Sequence, residues 1–165
     1  MPLAATHVLI AIILTDFWRD HFVEHRAGWP TKFIFAAGLG GLTPDLDIPV
    51  AWVLQIFTGK DYLFLHKTFT HSFLFFLIFF IPALIFLLIY SRHSHYFKYP
   101  FMFSIGILIH LGLDFISDTV PLLWPMAARY GIDISNDILV FAGIDAIILL
   151  LWLLHEEELH KISDF

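Results

Sequence analysis

From Ser72 to Tyr90, nineteen residues pass without a charge and only Pro82 interrupts them. That is close to the ~20 residues a bilayer core demands, so the stretch predicts a transmembrane helix. Two further apolar segments follow: Phe101 to Ile116, with His110 and Asp114 near its end, and Ile138 to Leu154, with Asp145 in mid-span. Leu3 to Trp18 is apolar apart from Thr6, His7, Thr15 and Asp16, and is short for a span. No Lys or Arg precedes it and no small-residue cleavage site follows, so it does not read as a signal peptide. Phe33 to Phe57 is long enough to cross, yet Gly38, Gly40, Gly41, Pro44 and Pro49 break it around Thr43-Pro44-Asp45-Leu46-Asp47. A helix broken at depth is tolerated only where freed backbone and charges face protein or a wet cavity. Short polar loops separate these segments: Asp16 to Lys32, Lys60 to Thr70, Ser91 to Pro100 and Val120 to Asp137. Without internal repeats or linkers, the pattern predicts one all-α domain over residues 1–165. Its expected form is a multi-pass transmembrane helical bundle of about five spans, the second broken at Thr43-Pro44-Asp45-Leu46-Asp47.

Composition agrees and removes several function classes. Of 165 residues, 59% are hydrophobic and 15% charged, against roughly 25% charged in soluble domains. Mean hydropathy is +0.80, which excludes disorder and leaves too little polar surface for a water-soluble monomer. There is no cysteine, so thiol nucleophiles, thiolate metal sites and redox switching are all absent. A net charge of −6 with no basic run argues against nucleic acid as a stable partner. The ten histidines change the picture most. Ionisable groups at membrane depth are costly and tend to mark function.

Three clusters hold the candidate chemistry. Asp45 and Asp47 follow Thr43 and Pro44, a pattern that also fits an N-cap, Pro at the first helical position and a dipole-favoured first turn. In His66-Lys67-Thr68-Phe69-Thr70-His71-Ser72, the two histidines lie five residues apart, which on a helix would separate them by about 140°. His66 therefore needs a loop, with Thr68 or Thr70 capping the helix that His71 begins. An interfacial loop whose His and Lys meet headgroups would look the same. His110 and Asp114 are an i, i+4 pair on one helix face, the spacing that holds a metal from a single helix and equally that of an interhelical hydrogen bond. No glycine-rich phosphate loop and no HExxH motif occurs.

Helix parity joins the clusters. His71 opens one span, and His110 with Asp114 closes the next, which returns antiparallel. The broken segment leads Asp45 and Asp47 toward the loop of His66, and His7, two crossings earlier, reaches the same face. Imidazoles with carboxylates suit Zn²⁺, Mn²⁺ or Fe²⁺.

Thr6-His7, Pro44-Asp45-Leu46-Asp47, His66 to Ser72, His110-Leu111-Gly112-Leu113-Asp114 and Trp124-Pro125 together resemble the YdjM-like family of membrane-bound metal-dependent hydrolases. That family is in turn similar to zinc-dependent phospholipase C and the single-strand nucleases, helical enzymes that cleave phosphoesters with clustered zinc. The resemblance implies metal ligands among His7, Asp45 or Asp47, His66 or His71, His110 and Asp114. It implies zinc before manganese or iron, and a hydrolase acting on a phosphoester, a phospholipid being one candidate. Lys67 and Thr68 stand where the family more often has Arg and a small residue, which removes a bidentate phosphate clamp. The second His-x-x-x-Glu helix of the soluble enzymes has no counterpart, because Glu156 and His160 come in reversed order.

The expected mechanism is water activation by the metal, with whichever of Asp45 and Asp47 is less engaged by it orienting or deprotonating the water. Lys67, Thr70 and Ser72 are the candidate substrate contacts, and membrane lipids the expected surroundings. The competing class is a cation or proton carrier with a relay through His7, His71, His110, Asp114 and Asp145. Asp145 discriminates, since it lies away from the ligand set. Sidedness follows from charge: Arg19, Arg26, Lys32, Arg92, Lys98 and Lys161 fall on one face, and Lys60, Lys67 and Arg129 on the other. The cluster is thus expected on the non-cytoplasmic side of the inner membrane, with the N-terminus outside.

Overall fold

The computed structural model describes residues 4–23, 28–62, 66–91, 94–132 and 138–158. Among the described residues there are six α-helices: α1 Ala4–Phe22, α2 Thr31–Leu42, α3 Asp47–Thr58, α4 Phe73–Tyr90, α5 His95–Ser117 and α6 Ile138–Glu158. Short 3₁₀ turns, Thr43–Leu46 and Phe69–His71, precede α3 and α4. Among the described residues, three helical stretches are long and apolar enough to cross a membrane: Thr31–Thr58, Phe73–Tyr90 and His95–Ser117. The expectation of five spans is therefore met by three. α1 brings Asp16, Arg19 and Asp20 into its last two turns, and the described apolar part of α6 is the short Asp145–His155.

The core sits where α1, α2 and α5 meet. Phe33, Ala37 and Met102 are buried there, and Trp29 and Phe101 pack against them. Glycine decides how closely α2 and α5 approach. A Cβ on Gly40 would collide with the Phe103 carbonyl, and one on Gly106 with the carbonyl of Ala37. Small residues at such crossings let backbones touch, and this contact brings the end of α2 against α5. α4, by contrast, buries only Ala83. Its Leu- and Phe-rich surface is the kind that faces lipid rather than protein.

The second segment is interrupted where expected, α2 ending at Leu42 and α3 starting at Asp47 across a 3₁₀ turn, but it does not unwind. Leu42, Thr43, Leu46 and Asp47 all keep right-handed helical angles, and only the hydrogen-bond pattern tightens to 3₁₀ across Thr43–Leu46. The capping alternative fails at this point. The Thr43 hydroxyl donates backward to the Leu39 carbonyl at 2.7 Å, so it caps nothing ahead. α4 is capped by Ser72, not by Thr68 or Thr70: the Ser72 hydroxyl accepts from the Phe75 N–H at 3.3 Å. α5 begins at His95, earlier than the expected Phe101, because Ser94 caps it by accepting from the Tyr96 N–H and Pro100 is accommodated inside the helix.

After α5 the chain turns back on itself. Val120 and Tyr130 form an antiparallel bridge, and the Leu122 carbonyl accepts from the Phe73 N–H at 2.9 Å. Trp124, whose peptide bond to Pro125 is cis, meets Phe69 edge-on. This loop ties the start of α4 to the end of α5 and so fixes the end of the bundle where the histidines gather.

Candidate metal centre

Seven of the residues singled out by sequence meet at that end. His7 comes from the first turns of α1, Asp45 and Asp47 from the tightened turn and the start of α3, His66 and His71 from the approach to α4, and His110 and Asp114 from the last turns of α5. They form three overlapping groups whose donor atoms lie within 4.8 Å of one another: His7, His110 and Asp114; Asp45, His71 and His110; Asp47, His66 and His71. His71, His110 and Asp114 are fully buried, Asp45 is 8% exposed, and the side chains of Asp47 and His66 reach 12% and 17%. The cluster thus opens on the Asp47 and His66 side.

Hydrogen bonds fix the histidine tautomers. His110 Nδ1 lies 2.7 Å from the Gly41 carbonyl, which can only accept, so Nδ1 carries the proton. The Thr70 hydroxyl donates to Asp47 Oδ2 at 2.7 Å and therefore accepts from His71 Nδ1 at 3.0 Å. His66 Nδ1 donates to Asp47 Oδ1 at 2.8 Å. In the neutral ring each of these histidines keeps its Nε2 lone pair, and none of the three Nε2 atoms has a hydrogen-bond partner among the described residues. Burial pushes the His71 imidazole below its ordinary pKa despite the carboxylates beside it, which keeps it neutral. Such an outer layer of carbonyl, hydroxyl and carboxylate is what orients metal-ligating imidazoles.

The spacing of the lone pairs carries the fit. His71 Nε2 is 3.5 Å from Asp45 Oδ1 and 3.4 Å from Asp114 Oδ2; His110 Nε2 is 3.7 Å and 3.5 Å from the same two oxygens. Charge-assisted hydrogen bonds would close to about 2.7–2.9 Å. Donors bound at 2.0–2.2 Å around a tetrahedral ion stand roughly 3.3–3.6 Å apart. These four His–Asp separations match edges of such a shell, and Asp45, His71 and His110 form one of the groups that could hold a metal ion. His7, stacked on His110 with ring centroids 3.8 Å apart, lies on the outer oxygens, 3.6 Å from Asp45 Oδ2 and 3.5 Å from Asp114 Oδ1. Both of its nitrogens and both Asp114 oxygens lack hydrogen-bond partners among the described residues.

The expected substrate contacts divide. Ser72 is fully buried and its hydroxyl donates to the Phe69 carbonyl at 2.6 Å while capping α4, so it does not face a substrate. Thr70 is engaged between Asp47 and His71, which makes it a support for ligands. Lys67, held at φ 55°, is buried and pairs with Asp118 Oδ2 at 2.7 Å, its ammonium 3.9 Å from Asp114 Oδ1. Sequence reasoning missed Asp118 and the Gly41 carbonyl. Asp118 follows His110 and Asp114 at the next i+4 step, a signal within reach; a backbone carbonyl leaves none. Asp145 stands apart from the ligand groups. Its Oδ2 accepts from the Thr6 hydroxyl at 2.7 Å across α1 and α6, beside an apolar groove of about 480 Å³.

The model of the YdjM inner membrane protein family matches residues 1–161. The chain belongs to that family. As a YdjM-family protein it is an inner membrane protein, in keeping with its apolar helices. No curated protein and no solved structure matches it. Within this YdjM chain, buried His and Asp groups able to hold a metal ion are the outstanding chemical feature.

Proposed function

We infer that this YdjM-family protein is a membrane-bound metal-dependent hydrolase acting on a phosphoester, with zinc the favoured ion and manganese or iron as other candidates. The supporting observation is the spacing of four buried atoms, Asp45 Oδ1, His71 Nε2, His110 Nε2 and Asp114 Oδ2, whose His–Asp separations are 3.4 to 3.7 Å. A divalent ion held there would supply Lewis acidity to a phosphoryl oxygen and would make a bound water acidic enough to ionise near neutrality. Asp45 belongs to the inner donors. Asp47 is the less engaged carboxylate and, on the exposed side of the cluster, takes the proton from water. His66 holds Asp47 from the other side, and Thr70 links Asp47 to His71 so that both keep their orientation. Lys67 places a positive charge near the outer oxygen of Asp114, where substrate oxygens would approach. A lipid phosphoester would reach such a site by lateral diffusion.

The carrier reading needs Asp145 in line with the cluster, but its Oδ2 accepts from the Thr6 hydroxyl, a helix-to-helix contact, which favours the hydrolase. The chain is read as multi-pass with the cluster on the non-cytoplasmic side. That charge count includes Arg26, Arg92 and Lys161, which lie outside the described residues, as does His160; for Glu156 only the helical backbone is described. A single cysteine at Ala128 should then react with an impermeant reagent in intact cells and one at Ser94 should not. Metal analysis of the purified protein, followed by a screen of phosphodiesters and phospholipids, tests the activity. A metal-loaded protein that cleaves none of them would overturn the hydrolase reading.

A further inference from the structure

Lys67 is an unusual residue to find buried in the left-handed region, where glycine is the residue sterics favour. Its conformation aims the ammonium back over the cluster, 2.7 Å from Asp118 Oδ2 and 3.9 Å from Asp114 Oδ1. Asp118 is itself fixed. Its backbone N–H ends α5 on the Asp114 carbonyl at 2.8 Å, and its Oδ1 accepts from the Thr119 N–H at 2.6 Å. Burial works against its charge, yet the Lys67 ammonium and the Thr119 N–H hold its carboxyl below the usual range. A Cβ on Gly131 would strike the Asp118 carbonyl, so the returning loop packs directly behind this residue. The Asp118 carboxylate is therefore a fixed anchor for a long, otherwise mobile side chain.

We propose that Asp118 is a positioning residue that holds the Lys67 ammonium beside the outer oxygen of Asp114, where ammonium and metal together make a binding site for a tetrahedral oxyanion. The inference rests on the metal-centre reading and adds a second, protein-borne positive charge to it. Held so, the ammonium acts as a point charge for one phosphoryl oxygen, while a cation held by the cluster would bind another. It also places a cation on the side of Asp114 that faces His7, which disfavours a second metal ion there.

The test uses the full chain in detergent, loaded with Co²⁺, and inorganic phosphate as the probe, read by the cobalt visible spectrum. Wild type should show a saturable spectral change with phosphate. Lys67→Met should load cobalt with the same phosphate-free spectrum and need at least tenfold more phosphate. Asp118→Asn should fall between the two, and Asp118→Glu should recover most of the affinity. Unchanged phosphate dependence in both Lys67→Met and Asp118→Asn would overturn the inference and leave the metal centre standing. Tighter phosphate binding in Asp118→Asn would also overturn it, because Asp118 would then be a competitor for the ammonium. Failure of every form to take up cobalt would overturn both the inference and the centre it rests on.

Discussion

Two ends of one helical bundle bury charge in opposite ways. At the end where α1 finishes, Arg19 is bonded by Asp16, by Asp20 at 3.1 Å and by the Thr31 hydroxyl at 3.3 Å, and Lys98 donates to the Gly28 carbonyl and sits 5.1 Å over the Trp29 ring. Positive groups meet negative ones, and hydrogen-bond donors meet acceptors. At the other end, the Nε2 lone pairs of His71 and His110 face oxygens of Asp45 and Asp114 at 3.4 to 3.7 Å. Acceptors meet acceptors. Burying an uncompensated charge costs several kcal/mol, so the first arrangement is complete in itself, while the second is one that could hold a cation. An apolar helical protein can thus carry similar residues for structure at one end and for chemistry at the other, and the pairing tells them apart.

The largest effect expected is at the acceptor-rich end. His110→Ala and Asp114→Ala should each remove metal and any hydrolytic turnover together, measured by elemental analysis and assay of the same preparation, because both donors come from one face of α5. The converse change sharpens the contrast. Arg19→Ala removes the guanidinium that Asp16 and Asp20 share and should cost about 3–5 kcal/mol of stability. The fraction that folds should still bind metal with wild-type affinity, as a thermal melt and a metal titration would show. If Arg19→Ala emptied the centre as well, the two ends would not be independent.

Smaller effects probe the supports. Thr70→Val breaks the link between Asp47 and His71 and should weaken metal binding about 10- to 100-fold, the usual effect of removing an outer-layer partner. Metal affinity should also fall as pH drops, since protons compete for the same lone pairs. Burial lowers the His71 pKa, so the imidazole stays neutral further down the scale. The part of the loss due to His71 should therefore lie below its ordinary value of 6.5 in a pH series of metal titrations. A loss centred above that value would point to a different limiting group.

The convergence of these His and Asp residues was legible in the sequence because helix parity is simple: the ends of α2 and α5 and the starts of α1 and α4 fall on one side, and the i, i+4 spacing of His110 and Asp114 survives any tertiary detail. The supports were less legible. Thr70 and Ser72 look alike in sequence, and only their neighbours in space decide that one links Asp47 to His71 and the other caps α4. The start of α5 was hidden by Pro100, which usually opens a helix rather than sitting inside one. Pro44 and the glycines around it suggested an open break, yet a 3₁₀ turn absorbs them without leaving the helical region.

The central claim is that Asp45, His71, His110 and Asp114 share one metal ion. X-ray absorption spectroscopy of the zinc-loaded protein tests it most directly. The account predicts a shell of nitrogen and oxygen donors at about 2.0–2.2 Å, with the outer scattering of at least two imidazoles that disappears in part in His110→Ala. A shell without imidazole scattering, or a protein that takes up no zinc at all, would contradict it.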